Sequence, residues 1–409
     1  MSDGPLQDTL HRQLQAEEID DETSHLDSDS DSDSDSDLEI FSSGLDALFD
    51  HHMPASGTPG SWTSFSHPIL PLVRHGQPSS ASTASHQGRE SESKLRYLLP
   101  PNSTGDTQLM AHYQWDAGVL LSRILIESSV HSNLQTKASI SPTSNASPSR
   151  ALPRLRGANL TELFNMPEER RILEVGAGAG LPSLVAARLA ASLCHSANVG
   201  CRARTDEIHV TVTDYPSAPV LSALQASVRK EGTQIKVRGL EWGNEEAESR
   251  LLSETSQRGF DVILAADTLW LTDQHPLLLH TFRRLLKPEK NAVILLAFGF
   301  HTGPFTALKF LELAAEAGLV VGRMKEEEQE SSKAVDESTS SHDANAMAKW
   351  LVRQTRPGSE DEDDATLYDV REWKGGEEET DAIQHRGHWS AIVCLRWSGE
   401  VLSSNVNHI

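Results

Sequence analysis

The stretch LEVGAGAGLPS, residues 173–183, reads as a β-strand that enters a glycine turn and leaves it as a helix. Leu173 and Val175 are apolar around one acid, Glu174. Gly176, Gly178 and Gly180 then let the backbone turn sharply and approach a ligand without Cβ contacts. Pro182 falls near the first turn of the apolar helix that follows, 181–193, where a missing N–H leaves no bond unmade. A helix that starts behind such a turn points unpaired N–H groups at whatever sits there. A plain connector can also be rich in glycine, so the rest of the chain has to decide.

Working outward, strands and helices alternate. IHVTVT (208–213) is a strand, 217–230 a helix, and QIKVR (234–238) a third strand. FDVILAA (260–266) is a fourth strand, apolar enough to be buried on both faces. HPLLLHTFRRLL (275–286) is a helix and NAVILLAF (291–298) the fifth strand. FTALKFLELAAEAG (305–318) is a helix, followed by strands at 319–324 and 390–397. Seven strands with helices between the first six predict an α/β fold, a Rossmann-like, doubly wound seven-stranded sheet. The last two strands lack a convincing helix between them and are expected to form an antiparallel hairpin at one edge. Upstream, MAHYQWDAGVLLSRILIES predicts a helix carrying Trp115, Val119, Leu120 and Ile124 on one face.

Charge marks the limits of this core. The chain holds 59 acidic and 36 basic residues among 409. Residues 1–50 carry 16 acids and a single Arg, and 326–381 carry 18 acids and 6 bases, so the remainder is slightly basic. DSDSDSDSDSD (27–37) repels itself and is too polar to bury a core; its serines suit an acidophilic kinase, or the segment simply solvates. The expected organisation is a disordered acidic arm (1–60), a Ser/Pro-rich extension (61–107) and a core (108–325). A mostly disordered acidic insertion (326–381) and the last strand with the C-terminus (382–409) complete it. HPILPLV (67–73) and LRYLLP (95–100) are candidate edge strands inside the extension. Cys194, Cys201 and Cys394 make no metal-type spacing and suit a reducing compartment. No secretory signal or membrane-length apolar run is visible, so a cytoplasmic chain, with the nucleus as a second location, is expected.

The strand ends carry the chemistry. G-x-G-x-G after an acid differs from the dinucleotide pattern G-x-G-x-x-G, because Leu181 stands where the last glycine would be; it suits the smaller methionyl end of S-adenosyl-L-methionine. VTVTDYP places Asp214 at the end of the second strand, where a carboxylate can accept both hydroxyls of a ribose; it can equally be a turn residue before Pro216. EWGN sets Trp242 at the same edge, to cover adenine or to fill core. LAADTLW ends the fourth strand on Asp267 with Trp270 beyond it. A carboxylate on a buried strand end implies a cation there, although Asp267 also suits a helix-capping turn. His301 is a loop histidine or a proton acceptor. No metal site is expected.

With QWDAG (114–118), LEVGAGAGLPSLVAA, TDYP, EWGN, LAADTLW and GFHTG…FLELAAEAGL (299–319) in this order, the chain resembles the family 16 seven-strand methyltransferases. That group includes protein-lysine, elongation-factor and nicotinamide N-methyltransferase-like members. The resemblance spans roughly 108–325 plus the final strand. It implies the class I methyltransferase fold and S-adenosyl-L-methionine as cofactor. The implied contacts are Trp115, Gly176, Ala177, Gly178, Asp214, Trp242 and Ala266, and the motif residues Glu174, Gly180 and Tyr215 complete the candidate cofactor set. It also implies Asp267 and Trp270 as the catalytic pair, with Trp in place of the family's Tyr or Phe. A lysine amine costs about 4.6 kcal/mol to deprotonate at pH 7; desolvation and an orienting Asp267 would lower that cost, and Trp270 or Trp115 would hold a methylammonium by cation–π contact. The expected substrate is a protein amine, lysine or N-terminus, on a translation factor or other basic protein, and the expected chain is a monomer. A nicotinamide-like small molecule, or a cofactor-binding interaction protein without turnover, are the alternatives. No basic stripe points to nucleic acid, and no membrane partner is expected.

Overall fold

In a computed structural model, the described residues are 55–67, 70, 94–102, 110–135, 169–196, 208–300, 303–321, 349–355, 367–373 and 389–406. The acidic run 27–37 and His301 lie outside them. The parallel centre of the sheet is built from β5 (Arg170–Val175), β6 (Ile208–Asp214), β7 (Ile235–Gly239), β8 (Val262–Ala266) and β9 (Val293–Gly299). β5 pairs with β6 on one side and β8 on the other, both in parallel, and β7 and β9 extend the two sides. Chain order therefore reverses at β5, and the carboxyl ends of β5 and β8 border the crevice that such a reversal opens.

The central strands β8 and β9 form because their residues are apolar on both faces, while β7 at the rim alternates buried and exposed residues; helices cover both faces. Ile172 faces one layer with Leu121, Ile124 and Val185; Leu173 and Val175 face the other with Leu251, Phe282 and Phe310. The first layer is α1 (Asp116–Gln135), α2 (Leu181–Ser196) and α3 (Ala218–Glu231); the second is α4 (Glu245–Glu254), α5 (His275–Leu285) and α6 (Pro304–Glu316). α4 is polar and its mean pattern does not single it out, but Asn244 caps it by accepting the Ala247 N–H at 3.0 Å, with Glu245, Glu246 and Glu248 in its first turn.

β13 (Trp389–Trp397) lies antiparallel to β9 and pairs antiparallel with β10 (Leu319–Val321), the antiparallel pairing the sequence predicts. Two more strands lie beyond β13, so the sheet has nine strands instead of seven and this pair is not its edge. Three expectations need correcting. First, the 326–381 insertion is not simply a disordered appendage: β11 (Lys349–Thr355) and β12 (Leu367–Glu372) join the sheet beside β13, and Trp373 is fully buried. KWLVRQT holds only three apolar residues in a row, Trp350, Leu351 and Val352, inside an acidic segment, so average composition hid it. Secondly, the acidic arm ends before residue 60, since β1 (Ala55–Ser56) pairs with β4 (Gln114–Trp115). Trp115 thus belongs to that strand and not to the face of α1, whose buried residues include Ala117, Leu120, Leu121, Ile124 and Leu125.

The third correction concerns the extension. LRYLLP contributes β3 (Lys94–Leu98), but its partner is β2 (Trp62–Ser66), and the two make a separate small sheet, not an edge of the main one. HPILPLV contributes no strand among its described residues, His67 and Leu70. The small sheet docks on α3: Glu231 accepts the Arg96 N–H at 2.7 Å and Ser227 Oγ the Leu98 N–H at 2.8 Å. Arg188 of α2 pairs with Glu231 and donates to Lys94 O at 3.0 Å. Both partners of that ion pair are buried, so each depends on the other to offset desolvation. A last helix, α7 (Gly399–Val406), follows β13.

Candidate functional site

A cleft of about 280 Å³ opens at the carboxyl ends of the parallel strands. The expected site residues Trp115, Glu174, Gly176, Ala177, Gly178, Asp214, Tyr215, Trp242, Ala266, Asp267 and Trp270 all line it. Gly180 does not. At φ +73° its missing Cβ would stand 2.6 Å from Leu224 Cδ2, so it serves the packing of the turn on α3. Gly176 works at the cleft itself: φ is +59°, and a Cβ would come within 2.9 Å of Thr268 Cγ2 and 3.2 Å of Trp242 Cζ2.

The turn is held from below by two carboxyl groups. Asp214 accepts the Gly178 N–H at 2.6 Å and the Tyr215 N–H at 2.7 Å. Each oxygen keeps further acceptor capacity, which leaves the ribose assignment open to it while it also braces the glycines. Burial pushes its carboxyl up to about 6, against the pull of those two N–H bonds. Glu174 accepts the Ser183 N–H at 2.9 Å; burial pushes it up to about 8, Ser183 works the other way, and the charge of Asp214 adds to the rise. Tyr215 contributes its backbone to Asp214 and leaves its ring 44% exposed at the surface.

On the other side of the crevice Asp267 leaves β8 in the left-handed region, φ 55°, a conformation Asp tolerates better than most side chains. Its N–H donates to Ala297 O at 2.8 Å, and its Oδ1 accepts the Gly299 N–H at 3.2 Å. The carboxylate is only 9% exposed and faces both the cleft and a small pocket lined by Leu269, Trp270, Phe298 and Thr306. Trp242 sits on a loop fixed by a chain of bonds, Gly243 N–H to Thr281 Oγ1 at 2.9 Å and Thr281 O–H to Glu248 at 2.7 Å.

Sequence reasoning missed several cleft residues. Met110, Tyr113, Gln114 and Thr268 line it as well. Gln114 Oε1 and Thr268 Oγ1 are buried and have no protein partner, an arrangement that calls for a polar ligand. Both stood inside quoted motifs, QWDAG and LAADTLW, beside the residue that drew attention. The Trp115 indole donates to Met110 O at 2.8 Å, which turns the ring into the wall of the cleft.

These groups fit S-adenosylmethionine. Asp214 suits the ribose diol, Trp242 the adenine, the glycine-turn backbone and the unpartnered Gln114 and Thr268 atoms the methionyl ammonium and carboxylate, and Asp267 lines the same cleft beside Thr268. Among the described residues no group of three or more His, Cys, Asp or Glu side chains is placed to hold a metal, and no helix is long and apolar enough to cross a membrane.

Comparison with known proteins gives the same direction. The chain is 29% identical over 207 residues to the protein N-terminal and lysine N-methyltransferase efm7 of Neurospora crassa, covering 46% of this chain and 67% of that protein. It is 33% identical over 162 residues to the corresponding protein of Eremothecium gossypii, covering 37% and 54%. The chain thus spans between about half and two thirds of the length of these relatives. An O-methyltransferase from Bacillus cereus in complex with SAH aligns at 18% identity over 49% of this chain and 83% of its own, with a TM-score of 0.28, too distant to add to the strand order already described. The lysine methyltransferase family model, methyltransferase family 16, matches residues 102–317, more than half of the 409. This chain belongs to that lysine methyltransferase family.

Proposed function

We propose that this protein transfers methyl groups from S-adenosylmethionine to amines of a protein, at a lysine side chain or an N-terminus. The observation that carries the reading is Asp267, a buried carboxylate held in a left-handed turn where the cofactor cleft meets Trp270. The relatives named as protein N-terminal and lysine N-methyltransferases support the substrate class.

When bound, S-adenosylmethionine supplies a methyl group on a positively charged sulfur. The chain supplies alignment, which dominates the catalysis of an in-line displacement. The glycine turn, Asp214 and Trp242 hold the nucleoside, and Gln114 and Thr268 bind polar atoms of the methionyl end. Asp267 accepts an N–H of the incoming amine and so directs its lone pair along the cleft. Trp270 and Trp115 keep water from the amine and hold the methylated cation by their ring faces. The acidic segments 1–50 and 326–381 favour a basic protein such as a translation factor as the partner.

Incubating the purified chain and tritiated S-adenosylmethionine with lysate from cells lacking the protein tests this reading. A labelled protein band whose label maps to lysine or an N-terminal amine is expected. Label confined to small molecules, or none despite cofactor binding, overturns it.

A further inference from the structure

We infer that Trp373, donated by the acidic insertion, is a positioning residue for Asp267; the inference rests on the role just given to that carboxylate. Trp373 follows β12 and is fully buried, although the segment around it is among the most acidic in the chain. Its ring stands edge-on to two others: Phe298 at 5.9 Å and 68°, and Phe300 at 5.6 Å and 73°. Those two rings also meet each other at 5.9 Å and 77°. The residue between them is Gly299, and its N–H donates to Asp267 Oδ1. Phe298 also lines the small pocket behind Asp267 and Trp270.

The geometry makes the three rings a clamp on a peptide whose N–H binds the Asp267 carboxylate. Gly299 is the last residue of β9, where the ladder to β13 ends at Ser390, and Ser390 pairs in turn with Val352 of β11. β11 and β12 therefore extend the sheet at the level of the site, and Trp373 closes the aromatic layer over it. A glycine at a strand end has no side chain to fix its orientation, so the neighbouring rings must do so. Edge-to-face pairs of this kind contribute directional packing beyond their buried area. Trp373 acts on Asp267 through Phe298 and Gly299, whereas the glycine turn, Asp214 and Trp242, which hold the nucleoside, follow β5, β6 and β7 on the other side of the crevice. Loosening the clamp should misdirect the carboxylate and spare the cofactor.

The test uses the full chain labelled with [15N]glycine, together with turnover on the protein methylated in the lysate experiment. In the wild type the Gly299 amide, assigned by its loss in Gly299→Ala, is expected to shift when Asp267→Asn removes the carboxylate charge. In Trp373→Ala the same amide is expected to move in the same direction, kcat to fall about tenfold or more, as small misplacements of reacting groups do, and cofactor Kd to stay within about twofold. Trp373→Phe should recover most of the loss. Trp397→Ala removes a comparable ring at the far end of β13, where its indole donates to Lys287 O, and it reports the effect of lost stability alone. If Trp373→Ala does not fold, Trp373→Leu takes its place with a smaller drop in kcat expected. An unmoved Gly299 amide, or a kcat no lower than that of Trp397→Ala in the folded variant, overturns the inference. If instead Asp267→Asn leaves kcat unchanged, the reading of Asp267 itself is what fails.

Discussion

At the end of β8 one carboxylate does what the strand before it cannot. The five apolar residues of β8 bring the chain to the crevice, and Asp267 turns left-handed there so that its oxygen meets the Gly299 N–H. Removing its charge while keeping its shape isolates the orienting role: Asp267→Asn is expected to lower kcat by about 10²-fold, the range of a positioned acid–base or orienting group, with cofactor affinity changed much less, read by single-turnover transfer and calorimetry. Asp214 titrates in an accessible range. Its carboxyl, raised to about 6 by burial, is ionised at pH 7.5 and largely protonated at 5.5, so it loses acceptor capacity as pH falls. Cofactor affinity is expected to drop across that interval, and Asp214→Asn to be weak and flat with pH. The stability effect has the opposite sign: a raised folded-state value stabilises the ligand-free fold below the unfolded value near 4 and is lost as pH rises through about 6. A wild-type affinity that does not change between pH 7.5 and 5.5 would remove Asp214 from the ribose.

At the scale of the element, the glycine turn of β5 and α2 divides its labour. Gly176 keeps space for the cleft, beside Thr268 and Trp242, while Gly180 lets α2 approach Leu224 of α3. Both have positive φ, so an alanine is strained at either, but the consequences should separate. Gly176→Ala is expected to weaken cofactor binding by about tenfold or more, since its methyl enters the wall next to Trp242. Gly180→Ala is expected to lower Tm by several degrees, with cofactor Kd in the folded protein close to wild type; about 1–3 kcal/mol is the usual cost of overpacking. Equal loss of affinity in both variants would put Gly180 back in the binding site. The three glycines look alike in the sequence because G-x-G-x-G states only where Cβ atoms are absent. What stands opposite each absent Cβ belongs to other elements, β8 and α3, and cannot be read from the turn.

Across the molecule, residues outside the expected core join it at defined points. β1 pairs Ala55 with Trp115 and Ser56 with Gln114, beside the strand that walls the cleft. A chain starting at residue 55 is expected to bind cofactor like the full protein, whereas one starting at 61 loses the β1 ladder and should bind about threefold or more weakly, with calorimetry as the measurement. Equal affinity for the two would show that β1 does not support Trp115 and Gln114. The insertion works in the same way. Excising 326–381 whole removes β11, β12 and Trp373 together, so its acidity does not make it dispensable.

The residues by themselves determined the parallel centre of the sheet, its two helical layers and the antiparallel closing strand, because strands buried on both faces need continuous apolar runs and helices need apolar stripes. Eleven of the twelve expected site residues, read from motifs at strand ends where an open α/β sheet must bind, line the cleft. Only the tertiary structure separated Gly180 from the cleft and made Asp214 a brace for Gly178 as well as a candidate ribose ligand. Only it showed Gln114 and Thr268 as buried polar atoms in want of a partner, and raised β11, β12 and Trp373 out of an acidic segment. The physical reason is common to all of these. Burial, an unmet hydrogen bond and a ring's edge contact are relations between residues far apart in the chain, and a local pattern of polarity carries no record of which distant surface will cover it.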